Sequence, residues 1–337
     1  MNILAIETSC DETSAAVVKD GREVLSNVIA SQIEFHKKYG GIVPEVASRL
    51  HAECISLIIK DALDRAGKET KEIDAIAVTY GPGLVGSLIV GVSAAKALAY
   101  SLKKPLIGVN HLEGHIYANF LEGSSDSMPG TLDASFPFIT LLVSGGHTSL
   151  VLVKGHGDYE TVGQTRDDAA GEAYDKVARF LKIGYPGGPI IDKLAKEGNP
   201  DAIHFKRPMI EEEFGLDFSF SGLKTAVVNY VSRLPDPSSL IPDLCASFQA
   251  AAIDVLVEKS LKAAELYKCE TIALAGGVSA NSALRRELKA KAEAKGLAVH
   301  IPPFEYCTDN AAMIGAAGHY KRDHSSFSLS PVASARI

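Results

Sequence analysis

The sequence has no tryptophan and only five cysteines in 337 residues. Cys10, Cys54, Cys245, Cys269 and Cys307 are scattered and odd in number. That argues against a disulfide framework and fits reduced thiols in a cytoplasmic protein. A long uninterrupted apolar run is also missing. The most apolar stretch, residues 84–102, carries Gly86, Ser87, Gly91, Ser93 and Lys96, so it is expected as a buried helix and not a membrane span. The opening MNILAIETSCDE lacks a basic region and turns acidic at once, unlike a signal peptide. No membrane association is expected. Basic excess is absent as well: 34 Lys and Arg face 41 Asp and Glu, for a net charge of −7. This argues against nonspecific nucleic-acid binding but not against grip on RNA through a local patch or a basic partner. The local basic clusters are Lys103 with Lys104, Lys206 with Arg207, and Arg285, Arg286, Lys289 and Lys291. All three read as solvated surface.

What is present is enough apolar material for a sizeable core, at 46% hydrophobic and 22% charged residues, over a length that suits two domains. Two pairs of segments look alike. Residues 4–18, LAIETSCDETSAAVV, align without gaps on residues 139–153, ITLLVSGGHTSLVLV, at an offset of 135. Each reads as strand, polar turn, strand, the pattern of a hairpin. AVTYGPGLVGSL (77–88) and ALAGGVSANSAL (273–284) are each a buried strand, a Gly-rich turn and a helix start. Together they predict an α/β protein with two lobes of similar build, each offering a tight turn to a shared cleft. The Ser-, Gly- and Asp-rich stretch 122–135 reads as a loop or lobe boundary. This places an N-terminal lobe at 1–132, joined by a returning segment 311–337, and a C-terminal lobe at 133–310.

HLEGH (111–115) sets His111 and His115 four residues apart, on one face of a helix and within reach of one metal ion. Asn110 ends a strand and can cap that helix, with Glu113 at the capping-box position and Gly114 leaving room for close approach. A metalloprotease needs H-E-x-x-H, with the glutamate directly after the first histidine. Leu112 stands there, and Glu113 lies about 200° around the helix from His111, so the pair suits a metal but not that mechanism. A third ligand is offered by YCTDNAAM (306–313), where Asp309 stands at a helix start with Thr308 as cap. Two imidazoles and a carboxylate form a common open site for Zn or Fe(II), although spacing alone does not join residues 115 and 309.

GPGLVG (81–86) matches G-x-G-x-x-G, but the next strand ends in Asn110 and His111 where a nicotinamide site would want an acid. It reads as tight strand-to-helix packing. LVSGGHTS (142–149) exposes backbone N–H groups that suit phosphate or carboxylate. AGGVSAN (275–281) sets two glycines before a helix N-terminus, and YPGGP (185–189) is another slim turn. Three such turns beside a metal pair favour a nucleotide-type ligand. DDAAGEAYDK (167–176) reads as a helix with Asp168, Glu172 and Asp175 on one face, whose repulsion calls for a ligand hydroxyl, a cation or Lys176. Asp11 and Glu12, in the first hairpin turn, are candidate acid/base groups.

Taken in order, IETSCDETS, GPGLVGSL, HLEGH, LLVSGGHT, DDAAGEAYDK, YPGGP, DFSFSGLKT, AGGVSAN and CTDNAAM resemble the TsaD family over about residues 2–320. The resemblance implies an actin-like ATPase fold with two related lobes around a central cleft. It implies a metal-dependent tRNA threonylcarbamoyltransferase, an acyltransferase that moves the threonylcarbamoyl group of threonylcarbamoyl-AMP to N6 of the adenine next to the anticodon in tRNAs reading A-starting codons. AMP leaves. By motif, His111, His115 and Asp309 would hold one divalent ion, Fe(II) or Zn(II). Leu142, Val143, Ser144, Gly145, Gly146, Asp175, Gly188, Asp192 and Asn281 would hold the substrate, and Asp11 or Glu12 would act as base. The expected partners are tRNA, a paralogous subunit, a small ATPase and a separate synthase that makes the adenylate. The competing expectations are a metallopeptidase built on HLEGH, a sugar or acetate kinase, and a non-catalytic scaffold on the same fold.

Overall fold

The computed structural model describes residues 1–122 and 136–337, so most of the 122–135 loop and the expected lobe boundary lie outside the described residues. In chain order the elements begin with β1 (Asn2–Glu7), β2 (Glu12–Lys19), β3 (Glu23–Ser31), α1 (Ile33–His36), α2 (Pro44–Arg65), β4 (Ala75–Gly81), α3 (Val85–Leu102), β5 (Leu106–Asn110) and α4 (His111–Tyr117). Next come β6 (Phe138–Val143), β7 (Thr148–Gly155), β8 (Asp158–Gln164), α5 (Ala170–Leu181), α6 (Gly187–Ala195), α7 (Ser221–Val231) and α8 (Ile241–Leu266). The last are β9 (Thr271–Ala275), α9 (Ser282–Glu293), β10 (Ala298–His300) and α10 (Ala311–Tyr320).

The chain divides into two units, Met1–Asp133 with Pro302–Ile337, and Ala134–Ile301. The returning segment thus starts at Pro302 and carries Asp309, where the sequence expectation set it at 311. The physical reason is α10. Its glycines let it lie directly on the first sheet, since a Cβ at Gly315 would stand 2.6 Å from Val18 and one at Gly318 would stand 2.8 Å from Ala77. The turn that feeds α10 has to sit on the same unit.

Each unit holds one five-stranded sheet, ordered β3-β2-β1-β4-β5 in the first and β10-β9-β6-β7-β8 in the second. Read from the third strand of each unit to its fifth, these are one order, with antiparallel pairs in the hairpin half and parallel pairs in the other. The registers coincide with the two sequence alignments. Ile6 pairs with Ala15, and Leu141 pairs with Leu150, each residue raised by 135. Ile6 also pairs with Val78, and Leu141 with Leu274, which matches the second alignment. Side chains alternate across a strand, so a slip of one residue would turn the apolar set outward. The shared register is therefore fixed by burial: β1 and β6 are buried along almost their whole length, as central strands covered on both faces are.

The first core joins β1, β2 and β4 to α2 and α3. The second joins β6, β7 and β9 to α5, α7, α8 and α9. By length and composition, α3 and the stretch Ser238–Leu266 are apolar enough to cross a membrane. The α8 part is largely buried in the second core. Burial of α3 is only one-sided, contrary to the expectation of a buried helix. Ser87, Leu88, Gly91, Val92, Ala95 and Ala99 face the protein, while Val85, Ile89 and Tyr100 are exposed.

One charge is buried in the second core. Lys259 on α8 is 2% exposed, its Nζ donating to the Gly215 carbonyl at 2.9 Å and lying 5.9 Å from the Phe218 ring centroid. Burial, aided by the neighbouring Lys262 and Arg166 and opposed by Asp217 and Glu211, pushes its ammonium down to about 8. The unfolded chain holds this proton to about 10.4. The folded state therefore releases it first, and stability contributed at this position rises as pH goes from 8 towards 10. Urea denaturation is expected to show wild type gaining on Lys259→Met across that window, with a slope of up to about 1.4 kcal/mol per pH unit. Parallel pH profiles of the two proteins would contradict this.

Candidate metal centre and substrate turns

β5 runs straight into α4. The Asn110 side chain accepts from the Leu112 amide at 2.8 Å, the capping role expected of it, and makes His111 the first helical residue. His115 follows one turn later, its ring centroid 4.6 Å from that of His111 and the rings nearly perpendicular. Gly114 does not make room for a ligand: a Cβ there would stand 2.7 Å from Ile314 on α10, so it admits the neighbouring helix.

Asp309 comes from the turn before α10. Thr308 is not the cap. Asn310 is, accepting from the Met313 amide at 3.0 Å and donating to the Thr308 carbonyl at 2.8 Å, while Ser14 Oγ on β2 accepts from the Ala311 amide at 2.9 Å. So held, Asp309 Oδ1 lies 3.4 Å from His111 Nε2 and 3.2 Å from His115 Nε2. One donor atom from each residue lies within 4.8 Å of the others. An ion with bonds of about 2.1 Å spaces tetrahedral ligands at about 3.4 Å, so the set fits one ion. His115 adds a second observation. It is 1% exposed, and neither ring nitrogen makes a hydrogen bond of acceptable geometry. With Nδ1 unbonded and Nε2 in only a poorly directed contact with Asp309, this buried imidazole is under-satisfied, and a cation would resolve it.

Glu7 lies within IETSCDETS but has no role assigned from sequence, yet it completes the group. It ends β1, is fully buried, and its Oε2 lies 3.1 Å from His111 Nδ1. The same oxygen accepts from Thr79 Oγ1, Oε1 accepts from the Ser9 amide, and Ser9 Oγ lies 3.1 Å from His111 Nδ1. A carboxylate behind an imidazole fixes the ring and leaves its other nitrogen for a metal. The available signal was one charged residue at the inner end of an apolar strand.

The charges are strongly coupled. Burial lowers the His111 imidazole, but facing Asp309 and Glu7 it is raised well above its ordinary value. Burial holds His115 below its own. Burial acts to raise the Asp309 carboxyl, and the two imidazoles outweigh it, holding the group well below the usual carboxylate range. Asp11 ends the turn after β1 and Glu12 starts β2 in the same unit. Asp11 is 8% exposed. Glu12 accepts from Ser31 Oγ at 3.4 Å, and burial, then Asp309 and Asp11, push its carboxyl up to about 10. Glu113, the glutamate a peptidase reading would employ, is buried and paired with Lys321 at 2.7 Å. It is committed to an ion pair, which disfavours that reading.

The residues expected to hold substrate all lie in the second unit. Leu142 and Val143 are fully buried at the end of β6, so their part is to carry the turn that follows. The following turn is closed by Ser144 N donating to the His147 carbonyl at 2.8 Å. Gly145 and Gly146 are exposed, with open space where a side chain would stand. The turn docks on α5, whose Ala170 and Gly171 amides donate to Thr148 Oγ1 and the Ser144 carbonyl. Asp175 accepts from the Gly187 amide at 2.7 Å, and Gly188 beside it is open. Asp192 on α6 accepts from Ser282 Oγ at 2.9 Å. Asn281 caps α9 by accepting from the Leu284 amide at 2.9 Å and donates to Gln249 at 2.7 Å. Asp175 thus ties the middle of α5 to the start of α6, and Asp192 ties α6 to the start of α9. Gly276, at φ +87° and 2.5 Å in Cβ terms from the Val143 carbonyl, admits no larger residue between β6 and β9.

One expectation changes here. The helix in DDAAGEAYDK begins only at Ala170, so Asp167 and Asp168 precede it. Their compensation is by lysines and hydroxyls: Lys176 bridges Asp168 and Glu172, Lys224 joins Asp168, and Asp167 accepts from Ser221 Oγ at 2.6 Å and from the Phe220 amide at 2.8 Å. That network anchors the DFSFSGLKT segment. The basic clusters are partly neutralised by acids: Arg207 by Asp254, Lys206 by Glu211, Lys291 by Glu258.

Titration with Zn(II) is expected to give one tight site, lost in His115→Ala and Asp309→Asn, and weakened about 10- to 100-fold in Glu7→Gln. Binding must displace the proton that Asp309 and Glu7 hold on His111, so affinity should fall as pH is lowered and calorimetry should detect proton release. Equal affinity in wild type and His115→Ala would contradict the assignment.

The chain matches the TsaD family model, described as tRNA N6-adenosine threonylcarbamoyltransferase, over residues 23–316. A tRNA N6-adenosine threonylcarbamoyltransferase of Clostridium botulinum (strain 657 / Type Ba4) is 57% identical over 323 residues, covering 95% of this chain and 92% of that protein. The protein so named in Clostridioides difficile (strain 630) is 56% identical over 319 residues, with 94% and 92% covered. Among solved structures, HypF of T. kodakarensis is similar at TM-score 0.66 and 14% identity, over 96% of this chain and 48% of that one. Component A of the Acidaminococcus fermentans (R)-2-hydroxyglutaryl-CoA dehydratase is similar at TM-score 0.52 and 15% identity, over 96% and 98%. These two likenesses concern the fold, which is the actin-like ATPase fold. With a family model spanning most of its length and relatives above half identity, the chain belongs to the TsaD family of tRNA N6-adenosine threonylcarbamoyltransferases.

Proposed function

We infer that this protein is a tRNA N6-adenosine threonylcarbamoyltransferase, an acyltransferase that takes the threonylcarbamoyl group from threonylcarbamoyl-AMP. The 57% identity to a protein of that name carries the reading. N6 of the adenine next to the anticodon attacks the carbamoyl carbon, a C–N bond forms, the bond from that carbon to the phosphate oxygen breaks, and AMP departs. The tRNAs concerned read codons beginning with A.

His111, His115 and Asp309 would hold one divalent ion, Fe(II) or Zn(II), whose chemistry when bound is Lewis-acid polarisation of carbamoyl or phosphate oxygens. Glu7 holds the His111 ring in orientation. The proton leaving N6 passes to Asp11 or Glu12; with its carboxyl pushed up to about 10, Glu12 is protonated near neutral pH and must lose that proton before it can act as the base. In the second unit, exposed Gly145 and Gly146 offer main-chain N–H groups to the anionic leaving group, and Asp175 and Asp192 accept from ligand hydroxyls. Leu142, Val143, Ser144, Gly188 and Asn281 shape that binding region through main chain and caps. We assign the two units to the N-terminal and C-terminal lobes of the family fold.

The partly neutralised basic clusters and net charge of −7 favour partners that add grip on tRNA: a paralogous subunit and a small ATPase, with a separate synthase supplying the adenylate. Free thiols at all five cysteines and a tRNA substrate favour a cytoplasmic setting.

Purified chain given threonylcarbamoyl-AMP with labelled threonine and unmodified tRNA, with and without the partner proteins, is expected to label the tRNA. His111→Ala should lose the signal by about 100-fold or more. No label in any mixture, with the adenylate intact at the start, would overturn the reading.

A further inference from the structure

The segment after α10 returns along the edge of the first sheet and finishes beside the metal helix. Ser325 bridges to Ile107 on edge strand β5, and the Ser326 amide donates to the Leu106 carbonyl at 3.0 Å. Leu329 packs on the first core, so close to β5 that a Cβ at Gly108 would stand 2.4 Å from it. The segment then crosses to the end of β4, where the Val332 amide donates to the Tyr80 carbonyl at 2.8 Å and the Ala333 carbonyl accepts from Gly83 at 3.2 Å. Last, the Arg336 carbonyl accepts from Asn110 Nδ2 at 3.0 Å.

Asn110 is 4% exposed and makes one bond from each end of its amide. Oδ1 caps α4 at Leu112, and Nδ2 reaches the segment. The other contact leads to the same histidine. Gly83 leads into Leu84, whose amide donates to the Ser9 carbonyl at 2.8 Å, and Ser9 Oγ lies 3.1 Å from His111 Nδ1. Both ends of the crossing therefore bear on His111. A seven-residue helix with two metal ligands has little intrinsic stability, so its orientation depends on such ties.

We propose that residues 325–336 form a strap that positions the metal-binding helix, acting through the Asn110 side chain; this rests on the metal reading of His111, His115 and Asp309. The strap acts on the ligands and touches neither ion nor substrate.

The test is a double-mutant cycle read as Zn(II) affinity. One change removes residues 331–337 and keeps Leu329 in the core. The other, Asn110→Asp, keeps an oxygen to cap Leu112 but has no donor for the Arg336 carbonyl. Each change alone is expected to alter affinity, and the two are expected to couple by about fivefold or more, the worth of one neutral hydrogen bond. Additive effects, or affinity unchanged on truncation, would overturn the proposal. Amide hydrogen exchange of full-length, metal-free Asn110→Asp gives a reading that needs neither truncation nor ion. Faster exchange across 112–117, with α2 unchanged, is expected, and unchanged exchange in α4 would overturn the strap. If His115→Ala abolishes zinc binding while the cycle is additive, the strap fails alone. If zinc binds His115→Ala as well as wild type, the metal reading itself fails.

Discussion

Two carboxylates and two imidazoles meet at Glu7, His111, His115 and Asp309, and gathering them, three buried and Asp309 half-buried, is the constraint on which the first unit depends. None of the four can be removed singly without leaving a partner desolvated. Glu7 and Asp309 approach opposite nitrogens of His111, and His115 keeps two buried nitrogens without hydrogen bonds. Such an arrangement favours a cation over any rearrangement of side chains. It also explains the path of the chain. The four groups come from the end of β1, the start of α4 and the turn before α10, with Thr79 of β4 supporting Glu7. Asp309 is delivered by the segment that rejoins the first unit at Pro302, and the small residues of α10 let it pack closely enough to do so.

The two sheets share order and register, yet the equivalent hairpin turns carry different chemistry. At the offset of 135, Asp11 and Glu12 fall on Gly146 and His147. The first turn presents carboxylates, and Glu12 feels the charge of Asp309. The second presents exposed glycine main chain, which suits an anion. The same point of a repeated scaffold thus carries groups of opposite character in the two units: carboxylates in one, bare main chain in the other.

Much of this was legible where the determining interaction is local. Hairpins and Gly-rich turns follow from alternation and turn residues, and the register of both repeats could be aligned from sequence because burial forbids a slip. HLEGH and its Asn110 cap lie within six residues. The misses are long-range. Glu7 looks like any strand terminus until Thr79 and His111 arrive from other elements. Gly114 takes its meaning from Ile314, 200 positions away. Thr308 and Asn310 are both competent caps, and contact with Ser14 on β2 decides between them. The early start expected for α5 failed because Asp167 and Asp168 are drawn to Ser221, Lys224 and Lys176 instead of to a helical turn. The outer face of α3 is open for a similar reason: composition cannot tell a helix covered on both sides from one covered on one.

The central claim is that this buried cluster is a metal centre built from two histidines and one aspartate. The most direct test is X-ray absorption spectroscopy on protein carrying one equivalent of Zn(II). The account predicts scattering from two imidazole rings plus oxygen ligands at about 2.0–2.2 Å, with no sulfur. Spectra without histidine scattering, or with sulfur at about 2.3 Å, would contradict it.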